Sequence, residues 1–149
     1  LFSDCQSEAI PEKITGASEL RGIVVILVDS ITERIEILKS ISYRAYIPLL
    51  IDARSGGDVA IIYALDPRDQ DQVAKYQKTL ETEGVTPAPC ANERQIPIIF
   101  QIVALIGQLL YLFESKKVWK FIEIPINYED WPSFSISAIM ARVKSLFEK

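Results

Sequence analysis

Residues 96 to 113 constrain the fold more than any other stretch of the chain. Ile98, Ile99, Ile102, Val103, Leu105, Ile106, Leu109, Leu110 and Phe113 recur at helical spacing and cover nearly the whole circumference of one helix. Arg94, Gln101, Gln108 and Ser115 recur every seven residues and leave one narrow polar seam, with Gly107 beside it. A helix apolar on almost every side is surrounded by its own core, by a partner or by lipid. A membrane span needs about 20 apolar residues, and this run is shorter and carries two glutamines. Burial in the chain's own core is the first expectation, a subunit interface the second and lipid the last. In the second case Gln101, Leu105 and Gln108 mark the interface, because a buried amide without a partner costs about 1–3 kcal/mol.

The rest of the chain supplies what such a helix packs against. Ile23 to Val28 is a continuous β-branched and apolar run, which suits a strand covered on both faces. Ser30 and Glu33 form a capping box, and Ile31, Ile35, Leu38 and Ile41 follow as one helical stripe. Tyr46 to Ile51 reads as a second strand, at a sheet edge or carrying a bulge, because Pro48 cannot donate to a ladder. Asp52 to Asp58 reads as a turn around Gly56 and Gly57, and Val59 to Leu65 as an antiparallel third strand. Asp66 and Pro67 are expected to open a second helix carrying Val73, Tyr76 and Leu80 on its buried side, with Gly84 just past its end. A last strand is expected over Val118 to Ile126, and a closing amphipathic helix through Ile136, Ile139, Met140, Val143, Leu146 and Phe147. The expected fold is a three-layer-like α/β sandwich. Its elements run β-α-β-β-α-α-β-α around a mixed sheet of about four strands, with a central apolar helix. Residues 1–21 read as a polar arm rather than a signal peptide, and residues 22–149 as one domain.

Composition then narrows the chemistry. The chain has 149 residues and no histidine, so Ser-His-Asp and Cys-His systems and His-ligated metals are excluded. Its formal net charge is −4 with the signs interspersed, which suits no polyphosphate backbone, and nucleic acid is not an expected partner. Lys116, Lys117 and Lys120 are the one basic cluster and read as a solvated helix end. Cys5 and Cys90 are too few for a metal site and read as reduced thiols, with a disulfide between arm and loop as the alternative.

Three places carry candidate sites. Asp29, Asp52 and Asp58 would gather at the carboxyl ends of the strands, where three carboxylates could hold Mg²⁺, although Asp is also the ordinary residue of turns and caps. Arg54 to Asp58 is a glycine-rich turn without a phosphate-loop lysine. Tyr128 to Pro132 places Trp131 in a loop, where it serves either a binding surface or the docking of the last helix. The strand, terminal acid and amphipathic helix from Val24 to Ile41 resemble the opening of a response-regulator receiver domain. The chain departs from that pattern where Asp29 is followed by Ser30 instead of a second acid, where Pro67 follows Asp66, and in the short hairpin, so no phosphoacceptor role is carried over.

These features point first to a non-catalytic regulatory or protein-interaction domain that self-associates. The expected setting is the cytoplasm, and the expected partner is itself or another protein, not a membrane. The alternatives are a Mg²⁺-dependent phosphodiesterase or nuclease using Asp29, Asp52 and Asp58, and a small-ligand or nucleotide sensor working near Asp29 and Ser30.

Overall fold

The structure is a computed structural model that describes residues 8–41, 46–81, 95–116 and 120–129, together with Ser135, Ser137, Ala138, Ala141 and Ser145. Cys5, Cys90, Gly84, Trp131 and the apolar positions of the closing helix lie outside the described residues. The elements are β1 (Ile23–Ile26), α1 (Ile31–Ile41), β2 (Leu49–Gly56), β3 (Val59–Leu65), α2 (Gln70–Leu80), α3 (Gln95–Lys116) and β4 (Ile122–Asn127). Ser137, Ala138, Ala141 and Ser145 are helical, as the apolar period there requires, and Ser135 Oγ accepts from Ala138 N at 3.1 Å.

The sheet is mixed, in the order β1-β2-β3-β4. β1 runs parallel to β2, and the other two pairings are antiparallel. Alternation along β2 assigns its side chains to two faces. Leu49, Ile51 and Ala53 join Ile62 and Ile124 beneath α3, whereas Leu50 joins Tyr63, Leu65 and Ile26 beneath α1 and α2. The result is three layers, with a separate apolar core on each side of the sheet.

Several local expectations change, each for a physical reason. β2 is a central strand, not an edge: Pro48 stands just before its first residue, where no ladder donor is lost. β1 is the edge and is not covered on both faces. Its register with β2 (Ile23↔Leu49, Val25↔Ile51) places Ile23 and Val25 on the α3 side, where both are exposed because α3 packs over β2, β3 and β4. The expected seven-residue turn shrinks to Gly57 and Asp58, Gly57 having φ 62°, and β2 continues through Asp52 to Gly56.

α2 begins three residues later than the Asp66–Pro67 pair suggests. Asp69 is the N-cap and accepts from the backbone N–H groups of Asp71 (2.9 Å) and Gln72 (3.1 Å). Asp66 instead pairs with Arg68 (2.6 Å) across the turn that precedes the helix. In α1 one half of the expected capping box forms, with Glu33 N donating to Ser30 Oγ at 3.4 Å, while the Glu33 carboxylate pairs with Lys13 at 3.4 Å. The buried stripe, however, includes Arg34 with Ile37, Leu38 and Ile41, while Ile31 and Ile35 are only half-buried.

Candidate functional site

Among the described residues, and besides the exposed edge strand β1, two places break the rule that charge lies outside and apolar surface inside. The first is on the α1/α2 side. Leu50, Asp52 and Arg54 share that face of β2, so the strand's own alternation drives a carboxylate beneath the helices, where it is fully buried. Arg34 reaches it from α1, pairing its Nη1 with Asp52 Oδ1 and donating from Nη2 to the carbonyls of Val28 and Ala53. Arg54 Nε donates to Asp52 Oδ2 at 2.7 Å, and the Tyr76 hydroxyl, from α2, donates to the same oxygen at 2.8 Å.

Arg54 also spends its two Nη groups on Thr79, at the backbone carbonyl (2.9 Å) and the hydroxyl (3.0 Å). Its guanidinium lies over the rings of Tyr63 (4.6 Å) and Tyr76 (5.3 Å). Burial, and then the neighbouring Arg54 charge, pulls the Arg34 guanidinium down to about 10, so it still carries its proton at neutral pH. Burial pushes the Tyr76 phenol above its ordinary value, which keeps it a donor.

Asp52 therefore accepts from two guanidiniums and a phenol, which occupy both of its oxygens. A carboxylate so committed is neither a free base nor a metal ligand. The other two proposed ligands lie elsewhere. Asp29 is exposed three residues beyond the Ile26–Asp52 pair, and Asp58 sits at the hairpin tip, about 13 Å along β2 at the usual rise per residue. Among the described residues no group of three His, Cys, Asp or Glu could hold a metal ion. The Mg²⁺ site expected from Asp29, Asp52 and Asp58 is thus corrected to a structural ion cluster that ties α1, β2 and α2 together. Arg34 was the residue to notice in the sequence: it interrupts the apolar stripe of α1 at a core-facing position.

The second place is α3. Its inner side (Ile98, Ile102, Leu105, Leu109 and Phe113) is buried against β2, β3 and β4. Gln101 is also inside, 4 % exposed, with its Nε2 lacking a hydrogen-bond partner among the described residues. The expected interface is corrected accordingly. Gln101 and Leu105 are committed to the chain's own core, Gln108 is half-buried at the flank, and Trp131 lies outside the described residues.

What faces outward instead is apolar. Ile96 is 57 % exposed, Ile99 51 %, Phe100 61 %, Val103 62 % and Tyr111 65 %. With Gly107, where an added Cβ would meet nothing within 4 Å, they form one stripe along the helix. From Ile96 to Tyr111 it runs about 22 Å at the α-helical rise. Contiguous apolar surface left in water on this scale is unusual for a folded domain. By length and composition, Gln95–Ser115 is also the one helix among the described residues able to cross a membrane, with a mean hydropathy of 2.2. Its inner side is the lid of the sheet, though, so lipid cannot surround it while this fold persists.

Compared with known proteins, the chain matches no family model, no curated protein and no solved structure.

Proposed function

We propose that this chain is a non-catalytic interaction domain whose working surface is the outer face of α3. One observation carries the reading: Ile96, Ile99, Phe100, Val103 and Tyr111 stand half or more exposed in a single stripe, while the amide of Gln101 is buried on the opposite side. Apolar area left in water forfeits about 25 cal/mol per Å², and covering it is what a partner would contribute. The buried cluster around Asp52 supports the same reading, because its charges are consumed in holding the fold and leave no free base or ligand set there.

A photo-crosslinking side chain tests it, placed at Phe100 and, for comparison, at Ala74 on the exposed side of α2. In cells expressing the chain, covalent adducts are expected from position 100, and adding Val103→Asp should abolish them. A yield at position 100 no higher than at position 74 would overturn the reading.

A further inference from the structure

We infer that the surface covering the outer face of α3 is the same face of α3 in a second copy of this chain, the two helices antiparallel about a two-fold axis level with Leu105. The inference rests on the outer face being a docking surface and adds what docks there.

The first argument is spacing. Ile96, Phe100, Val103, Gly107, Leu110 and Glu114 alternate steps of four and three along the outward side, with Leu110 half-buried at the margin. That alternation is the seam of one helix packed along another, since a 3.5-residue repeat keeps the same side facing the partner.

The second is symmetry. A two-fold interface brings one patch against itself, so each position must meet a suitable mate from the same patch. Reversal about Leu105 sends Val103 to Gly107, Phe100 to Leu110, Ile99 to Tyr111 and Ile96 to Glu114, all of them on the outward side or its margin. Val103 then sits twice over the notch at Gly107, where the helix carries no side chain and open space is found. Phe100 meets Leu110 on either side of that centre. Glu114, the one charged residue, falls at the two ends, where it stays in water.

Charge and area agree with this. No residue from Gln95 to Phe113 is charged, so two copies meet without repulsion, and antiparallel helix dipoles attract. The same stretch offers no lysine or arginine to an anionic lipid surface. The burial free energy of an apolar side chain, divided by that of unit apolar area, gives each of the five exposed side chains on the order of 100 Å² of surface. With the half-buried Ile106 and Leu110 that makes roughly 1,200 Å² over two copies, the lower bound for a specific contact.

Sedimentation equilibrium of the purified chain tests the inference, with far-UV circular dichroism confirming the fold of each variant. A reversible dimer is expected. Val103→Arg should weaken it by about 100-fold or more through burial of an unpaired charge at the centre, and Gly107→Leu by about tenfold through filling of the notch. A spin label at Glu114→Cys, in a chain with Cys5→Ser and Cys90→Ser, should give label separations near 27 Å for antiparallel helices. Separations under about 15 Å would mean parallel helices and would overturn the arrangement. A chain that stays monomeric at its highest soluble concentration overturns the second-copy inference outright. If Phe100 then still crosslinks to another protein, or the chain pellets with phosphatidylcholine vesicles and Val103→Arg does not, the docking surface survives with a different occupant. If neither occurs, both readings fall.

Discussion

The two faces of the sheet are closed by opposite means. Beneath α1 and α2 lies a cluster of charge: one carboxylate, two guanidiniums and a phenol joined by directed bonds, with only Arg34 Nε unbonded among its described buried atoms. Beneath α3 lies apolar packing into which Gln101 intrudes, its amide nitrogen unbonded among the described residues. The charged face turns its charges inward, and the apolar helix turns half of its apolar surface outward. In each case polarity alone predicts the wrong side. The difference lies in where compensation is found. Asp52 is neutralised within the chain, by residues from α1, β2 and α2 that its burial positions. The outer stripe of α3 is exposed, with no such compensation among the described residues.

The comparison breaks most visibly at Asp52. Replacing it with Ala leaves the buried Arg34 and the half-buried Arg54 without their counter-charge, and chemical denaturation should show a loss of about 3–5 kcal/mol. A loss below about 1 kcal/mol would mean that the cluster does not hold the helices in place.

The second test sets the two sides of α3 against each other, in the Val103→Arg background so that assembly does not contribute. Leu109→Ala, at a fully buried position, should cost about 2–5 kcal/mol. Phe100→Ala, on the outer stripe, should stay within about 0.5 kcal/mol. Equal costs would show that Phe100 is packed within the chain.

Gln101→Leu removes the unbonded amide and should raise stability by about 1 kcal/mol. A loss of similar size would place a hydrogen-bond partner at that amide.

The smallest effect is expected at the start of α2. Two donors from Gln72, its backbone N–H and then its side chain, hold the Asp69 carboxyl below its ordinary range. A carboxylate with a lowered folded pKa stabilises the fold above its unfolded pKa, and the contribution is lost as pH falls through the folded value. The melting temperature of the wild type should therefore fall more steeply below about pH 4 than that of Asp69→Asn, which keeps a capping oxygen but does not titrate. Parallel curves would remove Asp69 from the pH dependence.

Periodicity made much of the fold legible. The Ser30 cap, the helix of α1, the hairpin pairing of β2 with β3, and the helical character of α3 all follow from patterns a few residues long. The acidic site was misread because Asp52 looks like the end of an apolar run. Its neighbours Leu50 and Arg54 continue a two-residue alternation that carries the strand on to Gly56. The burial of β1 was misread because a continuous apolar run looks the same at a sheet edge as at its centre. The polar seam of α3 was visible, but its direction was not.

What the sequence by itself determined is local: which segments turn with a period of 3.6 and which with a period of two, where caps and tight turns stand, and that one helix is apolar on almost every side. These follow from backbone sterics and from hydrogen bonds between near neighbours. Only the tertiary structure decided that Arg34 of α1, Arg54 of β2 and Tyr76 of α2 converge on Asp52, and that Gln101 faces the sheet while Phe100 and Val103 face away. Those outcomes depend on which strands end up beside which helices. An almost uniformly apolar helix carries little preference of its own for the side it turns inward, so the shape of the sheet beneath it makes that choice.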